Sequence, residues 1–91
     1  MTPEHATSIS ISALQYIAGD QEQLARFLSL TGLAADDIRA LAETTDFLSA
    51  VLDYLLNDEP TLLAFAASSN LDPADVSKAK LTLNPVDHAE F

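Results

Sequence analysis

The 91-residue chain has no cysteine and few bases: four Lys and Arg stand against fourteen Asp and Glu. Without a thiol there is no disulfide and no thiolate metal site. Arg26, Arg39, Lys78 and Lys80 are too few and too scattered for a basic stripe, and the formal net charge is -10. DNA binding rests on Lys and Arg displacing counterions from phosphates, so nucleic acid is excluded as a partner class. An anionic membrane surface repels the chain for the same reason. Glycine occurs twice, at Gly19 and Gly32, and both positions read as helix ends, which leaves no Gly-rich phosphate loop. No apolar run reaches the roughly 20 residues that a bilayer span needs. The opening "MTPEHATSIS" lacks the basic and apolar regions of a signal peptide, so the expected location is the cytoplasm.

What is present is apolar: 48% of residues are hydrophobic, far above the level of a disordered chain. The length suits one domain with its own core. Thr2-Pro3-Glu4 opens a first helix with a cap, a first-turn proline and an acid at the positive end of the dipole. Within it "SISIS", residues 8–12, alternates like a strand. No partner strand is available, so helix is the reading. Gly19 is expected to end this helix in a left-handed conformation.

Asp20 caps a second helix with Leu24, Phe27, Leu28 and Leu30 on its apolar face. "AADDIRALA" forms a short third, with acids in its first turn. "TDFLSAVLDYLL" carries the widest apolar stripe and is expected at the centre. Asp58 caps a fifth helix whose body, "TLLAFAA", is expected to be buried. Asp72-Pro73 opens a sixth. The fold class is therefore all-α: one compact domain of about six short helices over residues 1–83, with residues 84–91 a frayed tail. Residues 47–56 and 61–67 are expected to form most of the core, completed by Leu14, Leu24, Phe27, Leu30, Leu33, Ile38 and Leu71.

Residues 13–38 match residues 51–76 in one ungapped register. Leu14, Tyr16, Asp20, Leu24, Phe27, Leu33 and Asp37 recur as Leu52, Tyr54, Asp58, Leu62, Phe65, Leu71 and Asp75. Gly32 aligns with Asn70, the two residue types that best tolerate a left-handed backbone. The matches fall on caps, stops and core-spaced apolars. Two three-helix units sharing a core about a pseudo-two-fold account for them. So does convergence, since amphipathic helical hairpins share such features.

"FLSLTGLAADDIRAL" has the outline of a DNA-binding helix-turn-helix, but Asp36 and Asp37 would face phosphates at the groove. An ordinary helical hairpin explains it better. His5 and His88 lie near the ends of the chain, no Gly-x-Ser-x-Gly elbow exists, and capping explains the acidic pairs, so no catalytic residue is assigned. The acids lack calcium-loop spacing, and neither metal nor cofactor is expected. Tyr16 and Tyr54 read as core-edge residues, rings buried and hydroxyls wet.

"FLSLTGL", "DFLSAVLDYLLNDE", "LLAFAA" and "LDPADV", in this order and spacing, resemble a family of small alphaproteobacterial proteins catalogued as a domain of unknown function. The resemblance covers about residues 14–80. It implies a helical bacterial protein and transfers no activity, cofactor or site.

The functional expectation is a non-catalytic, acidic protein-interaction module that binds a protein partner or self-associates. Its candidate contact residues are Asp36, Asp37, Arg39, Asp72 and Asp75. The alternative is a carrier of a small apolar ligand held between the helical halves.

Overall fold

The computed structural model describes residues 1–42 and 44–84. Over these residues the chain forms six helices and no strand: α1 Pro3–Ala18, α2 Gln21–Thr31, α3 Ala35–Leu41, α4 Thr45–Leu56, α5 Glu59–Ser68 and α6 Pro73–Leu83. None is long and apolar enough to cross a membrane. Local chemistry places most boundaries. The Thr2 hydroxyl accepts the His5 N–H at 3.1 Å, Asp20 accepts from Glu22 and Gln23, and Asp72 accepts from Ala74. Proline occupies the first turn of α1, α5 and α6, where no intrahelical donor is needed. The "SISIS" passage lies inside α1, and its buried Ser10 hydroxyl donates to Ala6 O at 2.8 Å.

The left-handed residues are Gly32 (φ 74°) and Asn70 (φ 57°). Gly32 N–H donates to Leu28 O, closing α2 in the simpler left-handed cap. After α5, Leu71 N–H reaches Ala66 O at 2.8 Å and Asn70 N–H reaches Ala67 O, which is a Schellman closure. Gly19 is a correction: its φ is -77°, so α1 ends in a right-handed turn. One residue, Asp20, then suffices to start α2, and no reversal through the left-handed region is needed.

The centre is built from α1, α4 and α6, each packed on the other two. Helix α1 turns Ala6, Ile9, Ala13 and Ile17 inward, one helical face of alternating small and branched residues. Helix α6 meets it with Val76 and Ala79, and these alanines let the backbones approach. As expected, α4 carries the widest buried stripe, from Phe47 to Leu55. Phe27 and Phe65, both fully buried, bring α2 and α5 onto this centre.

Two core expectations fail. Leu30 is 72% exposed: it follows Phe27 by one turn but falls at the edge of the covered face, beside an open hollow. Helix α5 buries only Thr61, Phe65 and Ala66, and Leu63 is exposed. Its apolar residues run all round the helix, but its packing on α4 and α6, with Phe65 against Tyr16 and Thr61 against Gln23, leaves the Leu63 side in water. The expectation for a frayed tail lies outside the described residues except at Asn84, which closes α6 by donating its N–H to Lys80 O.

Aromatic contacts join the two matched stretches reciprocally. Tyr16 meets Phe65 edge-to-face at 5.6 Å, and Tyr54 meets Phe27 edge-to-face at 5.4 Å. Under the register of the sequence match these are the same pair with the partners exchanged.

Candidate functional site

Helices α2 and α4 do not close fully on each other. Between them lies an open hollow of about 530 Å³. Leu30, Arg26 and Thr31 line it from α2, and Ala50, Asp53, Tyr54 and Asn57 from α4. Asp58, where α5 begins, forms one end. Ala50, with only a methyl side chain, lines it from α4, and the largely exposed Leu30 lines it from α2.

A chain of hydrogen bonds ties the end of the hollow together. Tyr54 hydroxyl donates to Gln23 Oε1 at 2.5 Å, Gln23 Nε2 donates to Thr61 Oγ1 at 3.3 Å, and Thr61 Oγ1 donates to Asp58 Oδ2 at 3.0 Å. Arg26 Nη1 reaches the same Asp58 oxygen at 2.8 Å. Asp58 occupies the capping position of α5, but its side chain does not cap. The carboxylate is drawn to Arg26 and Thr61 instead, unlike Asp20 and Asp72. On the α4 side, Asp53 pairs with Lys80 of α6 at 2.9 Å.

Burial pushes the Tyr54 phenol above its ordinary value of 10.0, with Arg26 pulling it partly back. At neutral pH Tyr54 is therefore a hydrogen-bond donor and not a base. The Thr31 hydroxyl donates within its own helix to Phe27 O. Asp58 is held by Arg26. None of the residues lining the hollow joins a nucleophile to a base. Among the described residues no group of His, Asp or Glu is placed to hold a metal ion.

The five candidate contact residues lie elsewhere. Asp36, Asp37 and Arg39 are exposed on α3, Asp72 is exposed and Asp75 half-buried at the start of α6. None lines the hollow. Asp37 Oδ2 accepts the Ala34 N–H at 2.9 Å and Asp72 Oδ1 caps α6, so both carboxylates have local work. The sequence reading places Leu30 in the core and Ala50 within the core stretch 47–56, whereas Leu30 is exposed and Ala50 half-buried at the hollow. The available signal was a small residue midway along the polar line Asp46, Ala50, Asp53, Asn57 of a helix that is otherwise apolar.

A family model described as protein of unknown function (DUF3572) matches residues 3–86. No curated protein and no solved structure matches the chain.

Proposed function

The chain belongs to the DUF3572 family, and from that premise we propose that it acts as a non-catalytic docking module for another protein. The observation that carries this is Leu30. A large apolar side chain is 72% exposed at the rim of a hollow that continues inward to Ala50 and Tyr54. A rim anchor beside a preformed recess suits insertion of a partner's side chain. The acid excess supports the reading by favouring encounter with basic partners. In it, Asp36, Asp37, Asp72 and Asp75, with Arg39, contribute to the long-range field.

The quasi-repeat belongs to the same reading in part: the α1–α2 and α4–α5 hairpins are counterparts with the docking recess between them, whereas α6 sits at the centre and its counterpart α3 buries no residue. Its support is the reciprocal Tyr16–Phe65 and Tyr54–Phe27 contacts, and the left-handed Gly32 and Asn70 at matched positions.

A second reading, carriage of a small apolar ligand, draws on the volume, which falls in the usual range of about 300–1,000 Å³ for ligand sites. The charged end formed by Arg26 and Asp58 and the open rim favour a protein partner over a free apolar molecule.

The test is a tagged pull-down with wild-type protein and Leu30→Ser, each at low and high salt. A partner held by wild type at low salt and lost by the variant supports the docking face. A partner retained equally by both contradicts it. Strong thermal stabilisation by lipid-like ligands in place of any such partner favours the carrier.

A further inference from the structure

We infer that the occupant of the α2–α4 hollow is a cationic amphipathic helix of another protein, an inference that rests on the docking reading above.

The rims define the shape. Both walls are helices, whose backbone groups are satisfied internally, so no sheet edge is offered to an extended peptide. A recess between two helices is the geometry that a third helix fills with its own ridge of side chains. Leu30 and Ala50 supply the apolar floor and rim.

The charges define the sign. On α2 the residues Glu22, Arg26 and Leu30 follow one another at helical spacing, and on α4 Asp46, Ala50, Asp53 and Asn57 do the same. These lines and the end residue Asp58 supply four acids, Glu22, Asp46, Asp53 and Asp58. Against them stand Arg26 and Lys80, each already paired, with Asp58 and Asp53. Glu22 and Asp46 have no ion pair among the described residues and are exposed. Asp53 and Asp58 line the hollow and are paired, while the unpaired Glu22 and Asp46 lie one helical turn beyond its lining residues, where the flanking Lys or Arg of a longer helix would reach; an anionic ligand finds Arg26 already engaged. A second copy of this chain carries the same -10 charge and the same acid lines, so it opposes acid to acid.

The experiment titrates isotope-labelled protein with three synthetic helical peptides and follows amide shifts. One peptide has leucine anchors and lysine flanks, the second has glutamate flanks, and the third has lysine flanks with alanine in place of leucine. The lysine–leucine peptide is expected to move the amides of Leu30, Ala50, Asp53 and Asn57. Its affinity should fall about tenfold between about 50 and 300 mM salt. Leu30→Ser should weaken it about tenfold, and Ala50→Leu, which fills the recess, should do so independently. Equal binding of the glutamate peptide at these amides leaves the docking face standing and overturns the cationic occupant. Equal binding of the alanine peptide overturns the amphipathic helix and leaves only charge attraction. Shifts confined to α3, or no shifts with any peptide, also overturn it. In that case the pull-down with Leu30→Ser still decides separately whether the face docks a partner of other chemistry.

Discussion

Gln23 and Thr61 stand 38 positions apart and are hydrogen-bonded to each other at 3.3 Å. That separation is also the register of the sequence match, so each residue is the other's counterpart. Gln23 also receives the Tyr54 hydroxyl, so one side chain links α2, α4 and α5 beside the hollow.

Gln23→Leu should destabilise the fold by about 1–3 kcal/mol, because it removes the near acceptor of the Tyr54 hydroxyl and leaves only Gln23 O at 3.5 Å, in a residue 8% exposed. Adding Tyr54→Phe removes the stranded group. The double variant should therefore lose less than the sum of the singles, by about 0.5–3 kcal/mol. Urea denaturation of the four proteins measures this, and additive losses would show that the bond carries no stability.

Tyr54 also sets an alkaline limit. Its folded pKa is raised, chiefly by burial, so the fold favours the neutral phenol. The stabilisation is fully present below the unfolded value of about 10 and is lost as pH rises through the higher folded value. Denaturation midpoints measured across about pH 8–11 should be level at first and then fall. Tyr54→Phe should flatten part of the fall.

Phe65→Ala should cost about 3–5 kcal/mol, since a fully buried ring is removed from the contact of α5 with the centre. Phe27→Ala should cost a similar amount. A loss under about 1 kcal/mol for either would contradict the core as described.

Gly32→Ala tests the turn between α2 and α3. A Cβ there would meet nothing within 4 Å, so the whole penalty is backbone strain at φ 74°. A loss of about 1–2 kcal/mol is expected. Asn70→Gly, at the other left-handed position, should be nearly neutral. Thermal melts of the two variants compare them directly.

Much of the fold is written in local chemistry. Thr2, Asp20 and Asp72 mark helix starts by capping, and prolines confirm the register of α1, α5 and α6. The centrality of α4 follows from the width of its apolar stripe. What was not legible depended on how many neighbours a helix finds. "TLLAFAA" reads as buried from composition, yet α5 has partners on one side only, and Leu63 faces water. Leu30 reads as core because it follows Phe27 at helical spacing, but the cover over α2 reaches Phe27, Leu24 and Leu28 and stops short of Leu30. The hollow was hidden for a different reason. Its walls come from two helices separated by α3, and no local pattern in either shows that they stand apart. Asp58 also looked like a plain cap, and only its proximity to Arg26 and Thr61 diverts it.

The most direct test of the docking face is site-specific photo-crosslinking in cells that express the protein. A photoreactive residue is placed at position 30 in one version and at position 63 in another, both exposed and apolar. The account predicts one protein adduct from position 30, absent from position 63, with lysine- or arginine-rich helical sequence at the crosslinked site. Adducts from position 63 alone, or the same adducts from both, would contradict it.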